Sequence, residues 1–210
     1  MKYYPVFWNI QNKKCVVVGG GEVAARKVRR LLACGARVLV VSPQLTPELA
    51  ALIADNSLEH VALEYHSRYL TGAVLVIGAT DDENINDAVS RDARAGCIPV
   101  NIVDDPQKCD FILPSLVERG DLTIAIGTGG QSPALSRHLR EELEGIYGEE
   151  YEVLLRILGK LRPRMKGEAG GKTWFVSLIT SGVMDLIKEK DWKKVKKLVY
   201  EITGEEVAVE

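Results

Sequence analysis

The spacing of apolar residues in the first half of the chain alternates between two periods. Short, nearly uninterrupted apolar runs are typical of strands buried on both faces of a sheet, whereas apolar residues three or four positions apart are typical of helices. These patterns predict strands over residues 13–19, 36–41, 59–65, 73–79 and 98–103, and helices over residues 22–33, 47–55 and 83–95. Strands that alternate with helices predict an α/β fold with a parallel, doubly wound sheet.

The pattern changes after Pro106. Apolar runs over residues 111–117 and 122–126 predict an antiparallel hairpin. Ser132 and Pro133 are typical of a helix start, and we expect that helix to reach about Glu144. The pattern is then helical near residues 149–162, 173–188 and 191–203, with a Gly-rich, basic stretch at 164–172. These shifts divide the chain into residues 1–113, 114–148 and 149–210.

Three consecutive glycines, Gly19-Gly20-Gly21, stand between the first strand and the first helix. Gly19 can take a tight turn, and Gly21 has no Cβ that would hold a ligand away from the backbone. The amides at a helix N-terminus attract anions, so this arrangement predicts a site for the pyrophosphate of a dinucleotide. A tight strand–helix turn without a ligand is the alternative interpretation.

Ligands of doubly wound sheets bind outside the carboxyl ends of the strands. The candidate cofactor-binding residues are therefore Gly19, Gly21, Glu22, Val23, Ser42, Pro43, Gln44, Thr80 and Asn101. The second strand ends in Ser42-Pro43, without the carboxylate that usually binds the ribose of NAD and without an arginine for a 2′-phosphate. This position alone therefore leaves NAD and NADP open.

Three further segments contain candidate functional residues. Asp104 follows the last strand, where it is either part of an ordinary turn or a general base that could also hold a metal ion. In Thr80-Asp81-Asp82 we expect one of the aspartates to cap a helix. A second glycine-rich loop and the helix after it form either a simple bend or a site for substrate carboxylates, with candidates Thr128, Gly129, Gly130, Arg137 and His138.

The composition and net charge of the chain argue against several classes of partner. The chain has 210 residues and a formal net charge of −2, so no basic field indicates a nucleic acid. No apolar run approaches the roughly 20 residues that cross a bilayer, and no export signal opens the sequence, so we expect a cytoplasmic protein that does not span a membrane. The four cysteines form no CxxC pair, and no permanent metal site is expected.

Several motifs in unbroken order resemble one family, precorrin-2 dehydrogenase, which also occurs as the amino-terminal half of sirohaem synthase. They are Pro5-Val6-Phe7, Gly19-Gly20-Gly21-Glu22-Val23-Ala24-Ala25-Arg26-Lys27, Ala79-Thr80-Asp81-Asp82, Asn101-Ile102-Val103-Asp104-Asp105, Phe111-Ile112-Leu113-Pro114-Ser115 and Gly129-Gly130-Gln131-Ser132-Pro133-Ala134-Leu135. The resemblance implies NAD-dependent oxidation of precorrin-2 to sirohydrochlorin, and in many members insertion of Fe²⁺. It also implies a Rossmann domain at 1–113, a dimerisation region at 114–148 and a helical domain at 149–210.

The resemblance also implies roles for particular residues. Asp104 matches the aspartate implicated in both dehydrogenation and chelation, where it would bind Fe²⁺ or Co²⁺ transiently. Ser42-Pro43 matches the family pattern, and Thr128 matches a serine or threonine that is phosphorylated as serine in some relatives. A homodimer is implied, with a tetrapyrrole polycarboxylate as substrate. The alternative class is an NAD(H)-sensing regulatory protein without catalysis, which would need a surface for DNA or another partner.

Overall fold

The computed structural model describes residues 2–163 and 173–208, so the predicted Gly-rich stretch at 164–172 lies outside the described residues. The chain divides into two compact units, Met1–Leu113 and Pro114–Glu210. The predicted subdivision of the second unit at residue 148 stays a prediction.

The first unit is a five-stranded parallel sheet with helices, as predicted. Its strands are Lys14–Val18 (β1), Arg37–Val41 (β2), Glu59–Val61 (β3), Leu75–Gly78 (β4) and Val100–Ile102 (β5), in the order β3-β2-β1-β4-β5. Its helices are Glu22–Ala33 (α1), Pro47–Asp55 (α2) and Glu83–Ala95 (α3), with short 3₁₀ helices at Ser67–Leu70 and Pro106–Lys108. The strand order reverses direction at β1, between β2 and β4, where ligands of such sheets bind.

The central strand shows why the apolar runs are continuous. Successive side chains of β1 point to opposite faces, so Cys15 and Val17 pack in the core that contains α1 residues, whereas Val16 and Val18 pack with α3 residues. Both faces of the strand are therefore buried, which explains its continuous apolar run.

Three predicted boundaries were wrong, each for a physical reason. The strand predicted over residues 59–65 ends at Val61, because its one neighbour, β2, ends opposite at Val41. The hairpin strand predicted from residue 111 begins at Ser115, because Asp110 and Phe111 bond back to residues of β5. The helix predicted over 173–188 is broken by Gly182, which has a φ of +80°.

The second unit begins with an antiparallel hairpin and continues with helices. Its elements are Ser115–Arg119 (β6), Leu122–Ile126 (β7), Pro133–Ile146 (α4), Glu150–Leu161 (α5), Thr173–Thr180 (α6), Val183–Lys188 (α7) and Trp192–Thr203 (α8). A separate apolar core joins α5 to α8 and includes Leu161, Leu178 and Val195. Among the described residues, no helix is both long and apolar enough to span a membrane.

Candidate functional site

A cavity of about 580 Å³ opens at the carboxyl edge of the sheet, where β1, β2 and β4 end. It is lined by Gly20, Gly21, Glu22, Val23, Ser42, Gln44, Leu45, Thr46, Ala79, Thr80 and Asp81. Six predicted cofactor residues are in this lining: Gly21, Glu22, Val23, Ser42, Gln44 and Thr80. Gly19, Pro43 and Asn101 are not, and their contact with a cofactor stays a prediction.

A different structural feature explains why glycine stands at each of these three positions. Gly19 has a φ of +133°, and a Cβ there would lie 2.1 Å from the carbonyl oxygen of Ala79. A Cβ on Gly20 would lie 1.8 Å from the carbonyl oxygen of Gln44. A Cβ on Gly21 would meet nothing within 4 Å. Gly19 and Gly20 are therefore required by the fold, whereas Gly21 leaves open space that a ligand can fill.

The first turn of α1 has no side-chain cap. Gly21 is the N-cap residue, and within residues 2–163 and 173–208 no side chain caps the amides that follow it. The first amides of a helix lack an acceptor within the helix, and they carry its partial positive charge. Because Gly21, Glu22 and Val23 line the cavity, this edge fits the diphosphate of a dinucleotide.

The loop after β2 is held by its own hydrogen bonds. The Ser42 hydroxyl donates to the carbonyl oxygen of Gln44 at 2.7 Å, and a ring nitrogen of His60 lies 3.0 Å from the carbonyl oxygen of Ser42. The amide of Thr46 donates to the carbonyl oxygen of Gly20 at 2.8 Å, which joins this loop to the glycines. Pro43 is exposed on the outside of the turn.

The loop after β4 forms the opposite wall. The Asp82 carboxylate accepts from the amides of Asn84 and Ile85 at 2.8 and 3.3 Å, which confirms the prediction that an aspartate in this segment caps a helix. Thr80 accepts at its hydroxyl oxygen from the amide of Asp82 at 3.2 Å. Asp81 is exposed and lines the cavity. The capping prediction did not decide which of the two aspartates would cap the helix and which would face the cavity.

Asp104 follows β5 and does not line the cavity. Its side chain is exposed, and its φ of +62° is uncommon for a residue other than glycine, although Asp tolerates it. Strained conformations of this kind cluster at functional sites. Asp104 lies in the turn that follows β5, as the alternative interpretation expected, and the neighbouring Asp105 caps the short helix at Pro106–Lys108.

A half-buried lysine of α1 lies in the electrostatic field of Asp104. Burial lowers the pKa of Lys27 and the positive charge of Arg26 lowers it further, whereas Asp104 and Cys109 act in the opposite direction. Lys27 was not among the predicted site residues, because it occupies an ordinary polar position on an amphipathic helix.

Asn101 and Cys109 hold the segment that carries Asp104. The buried Asn101 amide donates to the carbonyl oxygen of Phe111 at 2.9 Å and to the Cys109 sulfur at 3.4 Å. The Cys109 thiol lies 3.1 Å from the carbonyl oxygens of both Ile102 and Asp105. Burial raises the pKa of this thiol. Both side chains therefore serve the local fold around Asp104.

The five predicted substrate residues lie in the second unit. The Thr128 hydroxyl donates to the carbonyl oxygen of Ser132 at 3.1 Å and closes a loop in which Gly129 and Gly130 both have positive φ. Arg137 and His138 are exposed on α4. A ring nitrogen of His138 lies 3.5 Å from a carboxylate oxygen of Glu142. Across residues 2–163 and 173–208, no group of three or more His, Cys, Asp or Glu residues could hold a metal ion.

A parallel sheet whose central strand leads through glycines into an uncapped helix defines a Rossmann-type fold, the class of fold that binds dinucleotides. A family model described as "Putative NAD(P)-binding" matches residues 6–115, and one described as "Sirohaem biosynthesis protein central" matches residues 119–146. The chain belongs to the first of these families, and the resemblance to precorrin-2 dehydrogenase predicted from its motifs is confirmed.

Named relatives agree with this assignment. Siroheme synthase of Methylobacillus flagellatus is 45% identical over 166 residues, which are 79% of this chain and 36% of the relative. Siroheme synthase of Mannheimia succiniciproducens is 36% identical over 201 residues, which are 94% of this chain and 42% of the relative. The chain thus spans well under half the length of these curated relatives. A solved structure, "SirC, precorrin-2 dehydrogenase", is 25% identical with a TM-score of 0.74, and the match covers 97% of this chain and 100% of SirC.

Proposed function

We propose that this chain is an NAD-dependent precorrin-2 dehydrogenase that oxidises precorrin-2 to sirohydrochlorin. The observation that carries the proposal is the open edge at Gly21 and the uncapped first turn of α1, in a chain that resembles a precorrin-2 dehydrogenase over its length. Gly21, Glu22 and Val23 would hold the diphosphate of the cofactor through their backbone.

The charges around the cavity favour NAD over NADP. Its lining contains two carboxylates, Glu22 and Asp81, and no lysine, arginine or histidine. The 2′-phosphate of NADP would add negative charge beside these carboxylates without a cation to offset it. We therefore expect the unphosphorylated dinucleotide to bind more tightly.

The reaction requires a hydride acceptor and a proton acceptor. When bound, the oxidised nicotinamide ring supplies the acceptor for the hydride that precorrin-2 loses. A general base must accept the proton that precorrin-2 loses with the hydride, and our candidate for this base is the exposed carboxylate of Asp104. Asn101 and Cys109 hold the backbone around that carboxylate. The Gly129-Gly130 loop, Thr128, Arg137 and His138 are our candidates for binding the carboxylates of the macrocycle.

Chelation is a separate proposal about the same carboxylate. Insertion of Fe²⁺ or Co²⁺ into sirohydrochlorin requires removal of pyrrole protons, and Asp104 would accept them or bind the incoming metal ion briefly. The metal ion is a substrate in this reaction. The test is to mix the protein with sirohydrochlorin and Fe²⁺ or Co²⁺ in the absence of NAD⁺ and to measure the rate of metal insertion. A rate equal to that without protein would show that the protein has no chelatase activity.

We also propose a homodimer through β6, β7 and α4. Helix α4 has apolar residues exposed at Leu135 and Ile146, and Ser136 is the one residue that it buries among those described. These exposed apolar side chains form the surface that a second copy of the chain would cover. Sedimentation velocity should give the mass of a dimer.

The expected cytoplasmic location of the protein stays a prediction.

Turnover of precorrin-2 tests the proposed function. Purified protein, incubated anaerobically with precorrin-2 and NAD⁺, should form NADH together with sirohydrochlorin. Asp104→Asn should lower this rate by about 100-fold or more, since a general base contributes about 10²–10⁴ to a rate. Asp105→Asn is the matched control, because the neighbouring carboxylate caps a turn, and it should keep most of the activity.

Two outcomes would contradict this account. Full activity of the Asp104→Asn variant would remove Asp104 from the mechanism. Tight NADH binding without any oxidation of precorrin-2, accompanied by a change in affinity for DNA or a protein partner, would favour the NAD(H)-sensing alternative.

A further inference from the structure

Asn86 is a buried polar residue in the first turn of α3, with 8% of its surface exposed. The buried face of this helix also contains Val89 and Ala93. Asparagine is a poor helix former, and burial of an amide costs free energy unless its hydrogen bonds are made. An apolar residue would suit this position better unless the amide does something that an apolar side chain cannot.

The two halves of the Asn86 amide have different surroundings. The Nδ2 group donates to the carbonyl oxygen of Thr80 at 2.8 Å. The Oδ1 atom is buried and has no hydrogen-bond partner in the part of the chain that the structure describes. Rotating the amide by half a turn would place two acceptors against each other, so the Thr80 carbonyl fixes its orientation. A Cβ on Gly78 would lie 3.0 Å from Oδ1, so the glycine leaves room for the amide.

The Asn86–Thr80 hydrogen bond holds one wall of the cofactor cavity. Ala79, Thr80 and Asp81 line that cavity. The wall is also tied to the start of α3, because the Thr80 hydroxyl accepts from the amide of Asp82. Asn86 is thus the side chain of α3 that joins a buried position in the helix to the backbone of the wall.

We propose that Asn86 is a positioning residue for the nicotinamide cofactor. Its amide fixes the Thr80 carbonyl, and with it the backbone of residues 79–81, while its unpaired oxygen costs free energy of folding. The inference rests on the proposed cofactor site. Loss of the amide should therefore weaken cofactor binding without a matching loss of stability, whereas a purely structural residue would lower both.

The test compares two variants of Asn86 with a control on the same helix face. N86L removes the donor and the unpaired oxygen but keeps side-chain bulk, and N86A carries the test if leucine is too large. Val89→Ala is the control, because it deletes buried atoms of α3 without touching the Thr80 bond. NADH affinity is measured by fluorescence titration of the full chain, and stability by its thermal unfolding midpoint without ligand.

We expect N86L to bind NADH about tenfold more weakly, because residues 79–81 are no longer fixed, with an unfolding midpoint lowered less than that of Val89→Ala, since removal of the unpaired oxygen offsets part of the lost Thr80 hydrogen bond. N86A should show the same loss of affinity, and Val89→Ala should unfold earlier but bind within about twofold. Unchanged NADH affinity in both Asn86 variants, or an equal loss in Val89→Ala, would overturn the inference. Failure of the unsubstituted protein to bind NADH would instead contradict the proposed function, and this inference would fall with it.

Discussion

Helices α1 and α3 begin after neighbouring strands at the same edge of the sheet, yet their first turns are built in opposite ways. At α3 the Asp82 carboxylate accepts hydrogen bonds from two amides of the first turn. At α1 the N-cap is Gly21, and in the described part of the chain no side chain accepts from these amides and no atom fills the space beside Gly21. A helix terminus that satisfies its own amides has none to offer a ligand, whereas one that leaves them open can bind an anion.

The largest expected effect separates the glycines of the α1 loop. Gly19→Ala should destabilise the protein by about 3 kcal/mol or more, because it adds a side chain at positive φ and in collision with a backbone carbonyl. Gly21→Ala is the matched control and should cost less than about 1 kcal/mol, since its Cβ enters open space. Urea unfolding measures both, and equal losses would contradict the different roles of these glycines.

The second prediction concerns a variant in which α1 receives an aspartate N-cap like that of α3. Gly21→Asp should weaken NADH binding by about 100-fold or more, because the carboxylate occupies the first-turn amides and repels the diphosphate. Stability should rise by a few tenths of a kcal/mol, about the difference between Asp and Gly at an N-cap. Gly21→Asn separates capping from charge and should weaken binding less. Retention of native NADH affinity by the aspartate variant would show that the diphosphate does not use this turn.

The smallest effect on cofactor binding is expected at α3. Asp82→Ala removes both cap hydrogen bonds and should destabilise the protein by about 1 kcal/mol. NADH affinity should change by no more than about twofold, because Asp82 does not line the cavity. Asp82→Asn keeps a capping oxygen and should recover most of the stability. A large loss of NADH affinity in the alanine variant would place the ligand at α3 and reverse the comparison.

The sequence predicted this contrast only in part. The order of strands and helices, Gly21 at the start of α1 and an aspartate cap on α3 follow from local patterns, because periodicity and capping preferences act over a few residues. Leu45 and Thr46 were missed as lining residues, since a hydrogen bond from Thr46 to Gly20, on a loop distant in sequence, holds this segment at the cavity. Strand ends such as Val61 depend on where the neighbouring strand stops, which no local pattern contains.

Asn86 and Asn101 show the same limit for single side chains. Asn86 has the appearance of an ordinary polar residue in a helix, and its role depends on a carbonyl six residues earlier that the loop turns towards it. Asn101 was predicted to contact the cofactor because it lies at a strand end, and that contact stays a prediction; its bonds to Phe111 and Cys109 depend on a fold that the local pattern does not contain. The edge of the sheet is thus predictable, whereas which side chains face the ligand depends on the three-dimensional course of the loops.

Backbone amide NMR during a titration with NAD⁺ tests the central claim most directly. The account predicts large shifts for the amides of Glu22 and Val23, which would donate to the diphosphate, and small shifts for those of Asn84 and Ile85, which already donate to Asp82. Large shifts at Asn84 and Ile85, with Glu22 and Val23 unchanged, would contradict it.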